Sequence, residues 1–195
     1  MIGILDYGMG NLRSVQKAIE YLGGAAVVSA EQKTLDGCEK LILPGVGSFA
    51  AGMSNLRGRG LADYAVRRAQ DTPLLGICLG MQFLLDESEE EGLTAGLGLV
   101  RGRAVRFTEG KIPQIGWNAV TSMRSPLFAG IPEGTQFYFV HSYYADTAPA
   151  FTLGETEYFR TYASAVGAGN VYGVQFHPEK SGAAGLQLLR NFMRL

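Results

Sequence analysis

The sequence predicts a single three-layer α/β domain, with a mainly parallel central sheet and extra antiparallel strands in its second half. Three observations carry that expectation. Short apolar runs rich in Ile, Leu and Val, bounded by Gly or Pro, alternate with helix-period patterns through the first half. The second half holds several extended runs in succession and one closing helix. The 195 residues, 47% of them apolar, suit one domain with its own core and no disulfide staples.

Taken in order, Ile2–Leu5 is the first buried run, followed by a turn at Gly8-Met9-Gly10. Asn11 suits an N-cap, and Leu12, Val15, Ile19 and Leu22 then recur at helical spacing until Gly23-Gly24 stops the element. Residues 41–43 form a second run, closed by Pro44-Gly45-Val46-Gly47, and a helical region follows through Tyr64 and Val66. Pro73-Leu74-Leu75-Gly76-Ile77 reads as a third buried strand, leading into a helix over 79–85. Beyond it, 99–107, 118–123, 136–140, 150–153, 158–165 and 171–175 read as extended, and a helix over 185–193 closes the chain. No repeat, low-complexity tract or linker divides residues 1–195.

Composition excludes several classes of function. A net charge of −1 gives no general basic field for nucleic acid. No run approaches the ~18 apolar residues of a membrane span, and the first residues lack a signal-peptide pattern, so a cytoplasmic protein is expected. The two cysteines, Cys38 and Cys78, make no disulfide framework. The acidic run Glu87, Glu89, Glu90 and Glu91 has no His or Cys beside it and reads as a solvated loop, so no metal is expected. Gly8-Met9-Gly10 falls short of G-x-G-x-x-G and there is no P-loop, so neither a phosphate cradle nor a cofactor is expected.

The sharpest motif is Gly76-Ile77-Cys78-Leu79-Gly80, a nucleophile elbow with Cys where Ser often stands. A strained strand-to-helix turn exposes the nucleophile, small neighbours let chain segments approach, and a helix N-terminus favours the reactive thiolate. The Leu79 amide would point at an oxyanion forming on an attacked carbonyl. A buried structural cysteine is the competing reading, and the one that suits Cys38.

A thiolate that cleaves an amide needs an acid to protonate the departing nitrogen, and the chain holds two histidines, His141 and His177. His177 stands in Phe176-His177-Pro178-Glu179, after an apolar strand. Pro178 biases it toward extended backbone, where residues i and i+2 face the same side, so Glu179 can orient its ring toward Cys78. Alone, His-Pro-Glu is equally compatible with a surface turn; beside the elbow it completes a triad. Pro44-Gly45-Val46-Gly47, at the end of another parallel strand, offers a second oxyanion donor at Val46 or Gly47, or is merely a tight turn.

These residues, with the elbow extended through Met81 to Gln82, resemble the two catalytic signatures of the class I, or triad, glutamine amidotransferases. The resemblance implies a flavodoxin-like fold and one amidotransferase domain over residues 1–195. Four further segments are similar to one subfamily, the glutaminase subunits of imidazole glycerol phosphate synthases. They are Asp6-Tyr7-Gly8-Met9-Gly10-Asn11-Leu12, Pro44-Gly45-Val46-Gly47, Gly116-Trp117-Asn118 and Val140-His141-Ser142-Tyr143-Tyr144.

The resemblance implies that Cys78, His177 and Glu179 hydrolyse glutamine through a thioester. It places Leu79, Val46 and Gly47 at the oxyanion, and Gly45, Gly47, Gln82, His141, Ser142 and Tyr143 around the substrate. It implies a (β/α)₈-barrel cyclase partner that receives the ammonia, with Asn11, Trp117, Tyr138 and Lys180 at the interface. A partner makes physical sense, because ammonia released into neutral water becomes ammonium, which is no nucleophile. On their own chemistry, Trp117 is equally a core aromatic, Tyr138 a strand face, Lys180 a solvated lysine and His141 a packed histidine. Gln114 stands where many relatives carry His, which bears on the local interface contact. The competing functions are a glutaminase serving another synthase (pyridoxal phosphate or anthranilate), a free-standing cysteine amidase or peptidase, and a binding module without catalysis.

Overall fold

The computed structural model describes all 195 residues. The first half alternates as the sequence pattern requires: β1 (Ile2–Leu5), α1 (Leu12–Tyr21), β2 (Ala26–Ser29), α2 (Gln32–Asp36) and β3 (Lys40–Gly45). After these come α3 (Phe49–Gly58), α4 (Leu61–Arg68), β4 (Leu74–Cys78) and α5 (Leu79–Phe83). A small hairpin of β5 (Glu87–Ser88) and β6 (Thr94–Ala95) leads to β7 (Arg103–Arg106), β8 (Gln114–Ala119), β9 (Gln136–His141) and β10 (Tyr143–Asp146). The chain ends with β11 (Thr152–Glu157), β12 (Thr161–Ala168), β13 (Val171–Val174) and α6 (Gly182–Arg194).

Strands β2-β1-β3-β4-β13 are mutually parallel and form the heart of the main sheet. The sheet continues through β12, β10, β7, β5 and β6, mostly antiparallel, while β8 and β9 form a separate antiparallel ribbon. Period-2 alternation divides the apolar side chains between two clusters. Leu5, Leu41, Leu43 and Leu74 pack with Phe49, Met53 and Leu56 of α3 and Leu61 and Tyr64 of α4. Ile4, Ile42, Leu75 and Ile77 pack with Val15 and Ile19 of α1, Leu188 and Phe192 of α6, and Phe137 and Phe139 of the ribbon. Every residue of β4 is buried, as a strand covered on both faces should be. No helix is long and apolar enough to cross a membrane.

Several boundaries differ from the sequence reading. The helical region after β3 is two helices, divided where Gly60 takes a left-handed turn at φ 67°. The run 99–107 is strand only over β7, because Leu99 and Val100 donate their amides to Leu84 O from a loop. Strand β8 lies earlier than 118–123, and 150–153 contains a 3₁₀ turn (Pro149–Phe151) before β11 begins. Strands β2, β5, β6 and β10 and helix α2 lie outside the elements expected from the sequence; β2 is an edge strand whose residues are all half-buried, so it lacks a buried-face pattern.

Candidate active site

The parallel strands deliver the chemistry at their C-terminal ends, where open α/β sheets build sites. The segment after β1 supplies Asn11, that after β3 Val46 and Gly47, that after β4 the elbow, and that after β13 His177 and Glu179. Together with the ribbon they enclose a cavity of about 360 Å³. Cys78, Leu79, Gln82, Val46 and Gly47 line it together with His141, Ser142, Tyr143 and His177.

Cys78 occupies the turn between β4 and α5 at φ 55° and ψ −113°, a left-handed conformation that side chains other than Gly rarely adopt. Its neighbours show how the turn is held. A Cβ added at Gly76 would stand 2.6 Å from Gly80 O, and one at Gly45 would stand 2.5 Å from Gly80 N. Only glycines let β3, β4 and α5 interlock this closely, and the interlock holds Leu79 at the cavity wall. Gly45 therefore packs directly behind the elbow, and it is not among the residues that line the cavity.

His177 Nδ1 lies 2.8 Å from Glu179 Oε1, and both side chains are withdrawn from solvent. The route differs from the extended i, i+2 geometry expected. His177 is extended (φ −99°, ψ 96°), but Pro178–Lys180 is a 3₁₀ turn whose first position Pro178 occupies, and the turn brings Glu179 back to the ring. Nε2 of His177 and Oε2 of Glu179 are buried without a hydrogen bond, and the cavity is lined by His177 and Cys78 alike. Burial would depress His177, but an ionised Cys78 and the Glu179 carboxylate outweigh it and bring its pKa up to about 9. In the resting site the Cys78 thiol points at Val140 O, 3.8 Å away.

Asn11 does not cap α1 with its side chain. Its Nδ2 donates to Glu179 Oε1 at 3.3 Å, and its Oδ1 accepts from Ser14 Oγ at 2.8 Å. The cap was legible as a local pattern, whereas this contact spans 168 positions. His141 is no candidate acid or base. Its Nδ1–H donates to Tyr143 O at 2.8 Å, Nε2 faces the Tyr162 hydroxyl at 3.2 Å, and burial lowers its pKa to about 4. Gln114 joins that cluster through the same Tyr162 hydroxyl, 3.1 Å from its Oε1, so it is a buried partner of the cavity wall. Trp117 is not a core aromatic: it is 54% exposed on β8, edge-on to Tyr138 of β9. Lys180 is exposed beside the triad turn.

The sequence reading missed Glu90. The acidic run is not a free loop: Glu89 Oε1 accepts the Arg106 amide at 2.8 Å, and Glu90 Oε2 accepts the Phe49 amide at 2.7 Å. That bond fixes Glu90 at the cavity wall, and burial raises its pKa. Only a reading that paired the run with the start of α3 would have found it. No three His, Cys, Asp or Glu side chains gather into a ligand set for a metal.

The family model for class-I glutamine amidotransferases matches residues 4–195. A protein of Geobacillus thermodenitrificans named imidazole glycerol phosphate synthase subunit HisH is 52% identical, over 99% of this chain and 95% of its own. Proteins of the same name from Symbiobacterium thermophilum and Methanosarcina mazei are 52% and 49% identical, over all of this chain and 93% and 98% of theirs. A crystal structure of a glutamine amidotransferase matches with a TM-score of 0.79 at 21% identity, covering 99% of this chain and 97% of that one. PurLQS from Thermotoga maritima matches with a TM-score of 0.72 at 20% identity, again over 99% and 97%. At such identities these two structures speak for the fold alone.

Proposed function

The chain belongs to the class-I glutamine amidotransferase family, and from that membership we propose that it is the glutaminase subunit of imidazole glycerol phosphate synthase. It hydrolyses glutamine to glutamate and ammonia, and passes the ammonia to a (β/α)₈-barrel cyclase that forms imidazole glycerol phosphate and AICAR in histidine biosynthesis. The observation that carries the chemistry is the strained Cys78 elbow facing one cavity with a buried His177–Glu179 pair. Relatives 45–52% identical over nearly the whole chain share one name, which supports the choice of acceptor over pyridoxal phosphate or anthranilate synthesis.

The geometry supports the following course of reaction. Substrate glutamine enters the cavity that Gln82, Glu90 and the 141–143 segment line, and the free oxygen of Glu90 receives its α-ammonium. His177 Nε2 takes the thiol proton, Cys78 Sγ bonds to the amide carbon, and the carbonyl electrons move onto oxygen. Amides of Leu79 and of the Val46-Gly47 loop stabilise that oxyanion. As the oxyanion collapses, the carbon–nitrogen bond breaks and His177 gives its proton to the departing ammonia. Water, deprotonated by His177, then cleaves the thioester, releasing glutamate and restoring the thiol. Glu179 holds Nδ1 and stabilises the imidazolium throughout.

The cyclase would dock on the outer face of the β8–β9 ribbon, where Ile115 and Trp117 are 60% and 54% exposed beside Tyr138. That face communicates with the triad, because the His177 amide donates to Tyr138 O and the Tyr138 amide donates to Ser181 Oγ. Asn11 and Lys180 border it next to Glu179. A biosynthetic cytoplasmic setting accompanies this reading.

The test is nitrogen transfer. With a cyclase subunit and its ribotide substrate, amide-¹⁵N glutamine should label the imidazole ring despite excess unlabelled ammonium. Unlabelled product under those conditions would remove the assignment of the acceptor.

A further inference from the structure

We propose that Gln175 is a further catalytic residue of this site, its side-chain amide donating to the Cys78 sulfur and stabilising the thiolate. Gln175 follows β13, which runs parallel to β4 with Val174 beside Ile77, so the next residue stands alongside Cys78. Its side chain is wholly buried, 0% exposed. Nε2 lies 3.9 Å from Cys78 Sγ, and Oε1 accepts from Gln82 Nε2 at 3.1 Å.

The neighbouring donors fix the direction of this amide. Gln82 Nε2 donates to both Gln175 Oε1 and Tyr143 O, the latter at 3.0 Å. An amide nitrogen has two protons, and both are thereby engaged. With its oxygen against a donor, Gln175 must turn its N–H toward the sulfur. The flipped amide would set two donors face to face and place a carbonyl against an atom that must become negative.

Its backbone does not need this side chain, since the Gln175 amide already donates to Ser164 O at 2.9 Å. A buried amide is costly unless bonded, so its presence beside the nucleophile calls for a partner there. The sulfur has two polar contacts, and they suit different states. Val140 O accepts from the thiol; once the proton has moved to His177 Nε2, that carbonyl opposes the charge. Gln175 then supplies an attractive contact in addition to the His177 imidazolium, and it shortens and strengthens on ionisation. The same contact would ease departure of the sulfur from the thioester. Through Gln82, the nucleophile is also linked to the substrate-binding wall.

This inference rests on the proposed function only in taking Cys78 as the nucleophile, and its test needs no acceptor synthase. The full chain is alkylated with iodoacetamide across a range of pH, and the label is located at Cys78 by mass spectrometry. In Gln175→Met the midpoint of the pH–rate profile should rise by about one unit, leaving roughly tenfold less thiolate at neutral pH. A folded variant with an unmoved midpoint overturns the proposal while leaving the glutaminase assignment intact. Should Gln175→Met fail to fold, Gln175→Asn, which withdraws the amide by one methylene, is read in the same way.

Discussion

Replacing Gly45 by Ala tests how closely catalysis depends on the interlock behind the elbow. Gly45 ends β3 in register with Cys78. A Cβ there would stand 2.5 Å from Gly80 N, 2.8 Å from Leu79 Cβ and 2.9 Å from Leu79 C. Ordinary contact begins at about 3.4 Å, so β3 and the elbow must part by about 0.9 Å. The nearest atom is backbone, which cannot rotate aside as a side chain would. Leu79 and the Val46-Gly47 loop ride on the two segments forced apart, so the oxyanion donors separate. A misplacement of that size costs about 10²-fold in rate, and overpacking about 1–3 kcal/mol in stability. Glutamate release in the cyclase complex should therefore show kcat about a hundredfold lower and KM little changed, since Gly45 does not line the cavity. Thermal melting should fall in parallel. Gly58→Ala, where a Cβ meets nothing within 4 Å, is the control and should keep full activity. Normal kcat and melting in Gly45→Ala would refute the reasoning.

Other outcomes follow from the charged groups and the ribbon. Once it has taken the thiol proton, His177 holds it beside the thiolate up to about pH 9 and must deliver it to departing ammonia, so the glutaminase rate should fall above that pH. Glu179→Gln removes a charge that raises His177, so the alkaline limb should move to lower pH; a stationary limb contradicts the pairing. His141, buried neutral with a pKa of about 4, binds its proton later in the folded chain than in the unfolded one. Its contribution is present above pH 6.5 and lost as pH falls toward 4, about 3 kcal/mol in all. Chemical denaturation of His141→Gln should show a shallower loss over that interval. Trp117→Ala should weaken binding of the cyclase by about 2 kcal/mol in calorimetry, with the melting temperature of the free chain unchanged.

The elbow was legible because a five-residue string encodes both its turn and its nucleophile. The parallel core was legible for a related reason: Leu74, Leu75 and Ile77 belong to a strand buried on both faces and read as a continuous apolar run. What escaped was set by contacts between distant segments. Glu90 acquires its place from the Phe49 amide 41 positions away, and Gln175 from Cys78 97 positions away. Asn11 has a helix-cap sequence, yet its side chain is drawn to Glu179. Strand limits blurred wherever apolar loop residues such as Leu99 and Val100 pack like strand residues while donating to a single carbonyl, Leu84 O.

The most direct test of a partner-coupled glutaminase is glutamate release from glutamine by the purified chain, alone and then with the cyclase subunit and its ribotide ligand. The account predicts slow release alone, strong stimulation when both are added, and none from Cys78→Ala. A rate indifferent to the cyclase and its ligand would contradict it, leaving a cysteine hydrolase without this partner.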